Sequence, residues 1–202
     1  METGITRFVI LALPRTGSSL LNGTLRQHPD VISQGELFGE NIKFHFHDDF
    51  LPRIDLDRRA EDPAHLIDAV WAFAPGGERW RGFKHFHRQS PAATEILLAD
   101  AGVKKIILER ENRLAMHSSG QLARESGVWN RKASASEEKL DEIRAARAKF
   151  NPTHFATFCE KIDEIYRHYR DAAQGAQMTK TYEDLATGGI ASSASPRWSC
   201  RR

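Results

Sequence analysis

Cysteine is almost missing from this chain of 202 residues. The two that occur, Cys159 and Cys200, stand far apart, so neither a disulfide framework nor a metal-binding spacing can be built from them. Long apolar runs are missing too, and none approaches the roughly 18 residues that a membrane-spanning helix needs. The opening Met1-Glu-Thr-Gly4 lacks the basic-then-apolar pattern of a secretory leader. These absences predict a cytoplasmic protein with no integral membrane segment. An excess of one charge is also absent. The formal net charge is +2 and the basic residues form no long run, which argues against a nucleic-acid binder. No internal repeat is present. What remains is enough chain for one domain with its own core.

The stretch around which the rest is organised is Arg7 to Leu21. Phe8 to Ala12 has the composition of a buried strand, Leu13 to Gly17 that of a turn, and a helix opens at Ser18. A strand feeding a loop with glycine and hydroxyls, then a helix N-terminus, can cradle a phosphate with free N–H groups and the positive end of the helix dipole. The loop keeps the spacing of the nucleotide-triphosphate P-loop but lacks two of its parts. Ala12 stands where the first glycine belongs, and Ser18 where the lysine belongs. Arg15, inside the loop, supplies a cation instead. Such a loop suits a phosphate-like group and is poorly equipped for Mg-dependent phosphoryl transfer.

Pro14-Arg-Thr-Gly-Ser-Ser-Leu20, followed by His28-Pro-Asp-Val31 and Gly35-Glu-Leu-Phe38, resembles the sulfotransferases that use 3′-phosphoadenosine 5′-phosphosulfate (PAPS), most of all the bacterial nodulation-type and carbohydrate enzymes. The resemblance implies that Arg15, Thr16, Gly17, Ser18 and Ser19 hold the 5′-phosphosulfate. It implies an acceptor bearing a hydroxyl, and no metal. Glu36 is also placed near the cradle by topology, since it follows the short strand Val31-Ile-Ser33 and ligands bind at the carboxyl edge of open α/β sheets. The family resemblance makes Glu36 the general base; a capping or salt-bridging carboxylate is the alternative.

Further along, the helix after the cradle is expected to run from Ser18 to about Gln27, with Leu20, Leu21 and Leu25 toward the sheet. Residues 41 to 62 show no clean period. His45, His47 and Asp48 lie there, but their spacing matches no defined metal site. Pro63 to Ala74 has helical spacing. Arg81-Gly-Phe-Lys-His-Phe86 alternates as a strand, with Phe83 and His85 on one face and Lys84 and Phe86 on the other. The family has a Gly-x-Lys segment here, which would bring Lys84 near the transferred sulfonate; a solvated strand lysine is the alternative. His85 and His87 are second choices for the base. Ser90-Pro91 opens a helix reaching about Ala101.

Val103 to Leu108 is the next expected strand. The segment after it resembles the family's 3′-phosphate site, an arginine at the strand end and a serine about eight residues on. Arg110 matches the arginine, and both Ser118 and Ser119 fit the serine. Guanidinium offers paired, charge-assisted bonds to phosphate, and a hydroxyl adds another. Trp129 could flank nucleotide or substrate. Ser134 and Glu137 are spaced as a capping box. Asn151-Pro152 starts an amphipathic helix through Tyr169. A strand, 177 to 182, leads into Tyr182-Glu-Asp-Leu185, which matches the Tyr-Glu-x-Leu that follows the last core strand in the family.

After that the resemblance stops. Residues 187–202 carry no apolar period, so the sequence predicts a sulfotransferase-like domain over 1–186 and a disordered or aberrant tail, as in a C-terminally truncated member. The expected architecture is a single α/β domain, its central mostly parallel sheet flanked by helices in a P-loop nucleotide-kinase-like layout. Two other functions compete with sulfonate transfer: a catalytically inactive nucleotide-binding protein, and an ATP-dependent small-molecule kinase. The acceptor and the oligomeric state are not legible in the sequence.

Overall fold

The computed structural model describes residues 4–39, 46–128 and 149–187, and the backbone of 199–201. His45, Trp129, the Ser134–Glu137 capping box and residues 188–198 lie outside the described residues. Strands β1 (Thr6–Ala12), β2 (Val31–Glu36), β3 (Trp80–Phe86), β4 (Val103–Glu109) and β5 (Gly175–Thr181) pair in parallel in the order β2-β3-β1-β4-β5. A short strand β6 (Ser199–Arg201) adds to β5 antiparallel. The fold is therefore the α/β domain with a mostly parallel sheet that the alternation of apolar strands and helical segments predicts.

Helices cover both faces. On one side α2 (Pro63–Ala72), α3 (Pro91–Ala99) and α5 (Pro152–Ala172) pack on Val9, Leu11, Phe83, Val103 and Ile107. On the other, α1 (Ser18–Leu25) and α6 (Tyr182–Ala186) bring Leu21 and Leu185 onto Phe8, Ile10, Phe86 and Leu108. Val9 to Ala12 are wholly buried, as the central strand of a doubly covered parallel sheet should be. Each such aliphatic side chain contributes roughly 1.5–3 kcal/mol by burial. Glycine at position 82 follows from this packing. A Cβ there would stand 2.5 Å from the Phe8 carbonyl oxygen and 2.6 Å from the Phe8 ring.

One expectation needs correction. Leu20 does not face the sheet; it is about half exposed, while Leu21 is buried and Leu25 only partly so. Successive helical residues point about 100° apart, and α1 turns its Ser18–Leu21–Asn22 face inward. β2 also runs further than its apolar core suggests, because Gln34 and Gly35 continue it through a bulge to Glu36.

The topology sets the position of the site. From β1 the chain crosses to β2 on one side, and from β4 (through α4, Arg113–Ser126) it goes to β5 on the other. The strand order thus diverges between β1 and β4, and a crevice opens outside their carboxyl ends.

Candidate active site

The loop after β1 closes on itself. Thr16 is fully buried and its hydroxyl donates to the Leu13 carbonyl at 2.7 Å. Arg15 and Gly17 both take left-handed backbone angles, φ 70° and 82°. That conformation is ordinary for glycine and costs an arginine about 1 kcal/mol or more. Gly17 is the N-cap of α1, and no side chain among the described residues caps that helix. The first-turn amides of α1 therefore open toward the loop, where an anion would sit.

Across the crevice, α4 brings its own groups to the loop. Arg15 Nε donates to Ser119 Oγ at 2.8 Å, and Arg110 Nη1 donates to the Arg15 carbonyl at 3.0 Å. Ser118, the other serine allowed by the spacing, is exposed. The two guanidinium groups are close enough to feel each other. Burial, and then the charge of Arg110, push the Arg15 guanidinium below its ordinary range. Arg110 Nε is buried with no hydrogen-bond partner among the described residues. A buried donor beside two mutually repelling cations fits an anionic ligand, which would relieve both costs.

Arg110 is braced from behind. Its guanidinium lies over the Tyr182 ring, 4.4 Å from the ring centre. The same ring touches the cradle, since a Cβ on Gly17 would come within 2.6 Å of Tyr182 Cδ2. The neighbouring Glu183 carboxylate accepts from the Glu111 amide at 3.1 Å and the Asn112 amide at 3.3 Å. Burial works to raise the Glu183 carboxyl, but those amides, its own amide and the nearby Arg110 outweigh it and hold the group below the usual carboxylate range.

On the other side of the cradle stands a second cluster. Lys84 is buried on β3, donates to Ser19 Oγ at 3.0 Å and pairs with Glu36 Oε1 at 2.8 Å. Gln89, on the short turn His87–Gln89, donates to Glu36 Oε2 at 2.6 Å. Glu36 keeps 29% of its side chain exposed, against 2% for Lys84. The carboxylate therefore remains reachable from the crevice while its partner does not.

With this geometry in view, comparison with known proteins gives one match among curated proteins. Nodulation protein H of Rhizobium tropici is 31% identical over 129 residues, covering 60% of this chain and 48% of the relative. This chain is similar to a nodulation protein. The nodulation-type resemblance seen in the cradle motif is thus found again over 60% of the chain. The chain spans about half the length of the curated relative it matches. No family model matches. Among solved structures, retinol dehydratase in complex with androsterone and inactive cofactor PAP aligns over 95% of this chain and 59% of that one, at 18% identity and a TM-score of 0.41. The complex of retinol dehydratase with retinol and PAP aligns over the same shares at 0.39.

The structure brings together Arg15, Thr16, Gly17, Ser18, Ser19, Glu36, Lys84, Arg110 and Ser119 around the carboxyl edge, and leaves Ser118 outside. The histidines fare differently. His85 is wholly buried, bonded through Nε2 to Thr94 Oγ1 at 2.8 Å. Burial first, and the charge of His87 second, push its pKa down to about 3. A neutral, inaccessible imidazole of that basicity is a poor proton acceptor. His87 is half-buried, and its amide donates to the Tyr169 hydroxyl. Among the described residues no group of three His, Cys, Asp or Glu side chains is placed to hold a metal. No described helix is long and apolar enough to cross a membrane.

Sequence reasoning did not find Gln89, which lies 53 residues from its partner Glu36. Nor did it give Tyr182 and Glu183 a physical task; it recognised them only as a family marker. The one signal available was that marker, which places four residues directly after the last parallel strand, at the edge where ligands bind.

Proposed function

We propose that this chain transfers a sulfonate group from PAPS to a hydroxyl of a carbohydrate, glycolipid or other small acceptor. The observation that carries the reading is the meeting of Arg15 and Arg110 across the β1–β4 crevice, with Ser119 on Arg15 and Arg110 Nε unpartnered among the described residues. One cationic centre sits on a helix N-terminus, as a 5′-phosphosulfate requires, and a second lies one strand away, as a 3′-phosphate requires. The likeness to a nodulation protein supports the same reading.

PAPS would supply an activated sulfonate: the acceptor oxygen bonds to sulfur, the bond from sulfur to the 5′-phosphate oxygen breaks, and the electron pair leaves on that phosphate. Arg15 and the amides of Thr16 to Ser19 stabilise the charge that gathers there, each donor worth about 3 kcal/mol in the transition state. Lys84, buried behind Ser19 and Glu36 and bonded to both, acts on the sulfonate through them. Glu36 takes the proton of the acceptor hydroxyl. Arg110 and Ser119 grip the 3′-phosphate. None of these steps needs a metal. Residues 1–186 form the catalytic unit in this reading, and a bacterial, cytoplasmic setting suits a chain with two cysteines at unrelated positions.

Calorimetric titration with 3′-phosphoadenosine 5′-phosphate (PAP), beside ATP with Mg, tests this. Micromolar binding of PAP with ATP much weaker is expected. Tighter ATP would turn the reading toward a kinase, and binding of neither would leave no working site. Glu36→Gln should then leave PAP binding intact while turnover falls by roughly two to four decades. Retained turnover would remove Glu36 as the base.

A further inference from the structure

The Tyr182-Glu-Asp-Leu185 segment has no part in the chemistry proposed above, yet it touches both halves of the site. Its own start is fixed by a capping box, with Thr181 Oγ1 accepting from the Asp184 amide and Asp184 accepting from the Thr181 amide, each at 3.0 Å. Leu185 anchors it in the core under α1. From this fixed base Tyr182 supports the Arg110 guanidinium and presses on Gly17, and Glu183 reaches the turn that precedes α4.

The Glu183 contact is unusual in its charge. A carboxylate beside a phosphate site ought to weaken it by repulsion. Here, however, the carboxylate is spent on the Glu111 and Asn112 amides, the two N–H groups that would otherwise point out of the strand end. Two further amides at this end are also taken. Asn112 Oδ1 caps the Ala115 amide at 2.8 Å, and the Glu111 carbonyl accepts from the Arg113 amide at 2.8 Å. The chain's own acceptors therefore take most of the amides around the start of α4, in contrast to α1.

We infer that Glu183 is a positioning residue for the 3′-phosphate: by occupying the Glu111 and Asn112 amides it fixes the turn that carries Arg110, so that the phosphate is met by the guanidinium and Ser119 and not by the helix end. The inference rests on the reading of this site as one for 3′-phosphoadenosine. Its consequence is selectivity. Glu183 should matter for nucleotides bearing a 3′-phosphate and should be nearly silent for those without one.

The test compares PAP with AMP by calorimetry on the full chain, for the wild type, Glu183→Ala and Glu183→Gln. PAP affinity should fall about tenfold in Glu183→Ala, the loss of one charge-assisted contact, and by less in Glu183→Gln, which keeps an acceptor oxygen. AMP affinity should move by less than about twofold in either. Amide exchange at Glu111 and Asn112, read in the free protein, should speed up in both variants. Equal losses for PAP and AMP, an unchanged PAP affinity, or unchanged exchange at those two amides would overturn the role of Glu183. If the wild type binds neither nucleotide, the reading of the site itself fails and this role falls with it; if it prefers PAP and Glu183→Ala keeps that preference, only the role of Glu183 falls.

Discussion

The two strand-to-helix crossings at the site, β1 to α1 and β4 to α4, sit side by side and are built in opposite ways. The first is made by its own backbone. Left-handed Arg15 and Gly17 turn the chain, buried Thr16 locks the loop onto Leu13, and α1 opens without a side-chain cap. The second is made by side chains from elsewhere. Asn112 caps α4, Glu183 fills the amides before it, and Tyr182 carries the Arg110 guanidinium from more than seventy residues away in sequence. A phosphate at the first crossing meets main-chain donors whose geometry cannot drift. At the second it meets a guanidinium whose aim depends on how well a distant segment is packed.

The largest effects should separate the two crossings by kind. Arg15→Ala should cut turnover by roughly two to three decades with the fold intact, because in the proposed transfer the lost donor acts on the charge that develops. Arg110→Ala should instead weaken PAP binding by roughly one to two decades, the worth of a lost charge-assisted contact. A kinetic profile of Arg110→Ala that matched that of Arg15→Ala would erase the distinction.

Gly17→Ala probes the place where the crossings touch. The new methyl group meets both a positive φ and the Tyr182 ring, so unfolding free energy should drop by about 1–3 kcal/mol. PAP affinity should fall with it, because pushing Tyr182 aside also moves Arg110. Denaturant unfolding beside calorimetry would show whether the two losses travel together.

A variant on β3, whose side chain lies on the sheet face opposite Lys84, provides the control. His85 has a native pKa of about 3, far below the ordinary imidazole value near 6.5. The unfolded chain therefore binds the proton first as pH falls, so the stability is present above about 6.5 and is lost as pH drops toward 3. Between pH 7 and pH 5 the loss from this one group is about 2 kcal/mol. His85→Gln should flatten that acid slope, measured by denaturant unfolding at each pH, without changing the contrast between the two arginines. The smallest effect sharpens the second crossing itself. Ser119→Ala should lower PAP affinity roughly three- to tenfold, while Ser118→Ala changes nothing measurable.

These contrasts explain what could be read from the chain and what could not. The cradle is legible because everything it needs is local: an apolar strand, a glycine at the turn, hydroxyls at the helix start. The strands and most helices are legible for the same reason, since Val9 to Ala12 or Ile162, Tyr166 and Tyr169 declare their burial by spacing. Leu20 shows the limit, an apolar residue at a plausible period that the face chosen by α1 leaves in solvent. The choice between Ser118 and Ser119 is of the same type. Both fit the interval from Arg110, and only the rotation of α4 about its axis turns Ser119 to Arg15.

The sequence by itself determined the alternation of strands and helices, the glycine-containing loop between β1 and α1, and the identity of the charged residues gathered at the sheet edge, because each follows from periodicity or from a short motif with one backbone solution. Only the tertiary structure decided which of those residues meet. Lys84 lies between Ser19 and Glu36, Gln89 holds the second carboxylate oxygen, and Glu183 holds the turn before α4. Those contacts join residues separated by tens of positions, and their geometry depends on strand order and register, which no local interaction specifies.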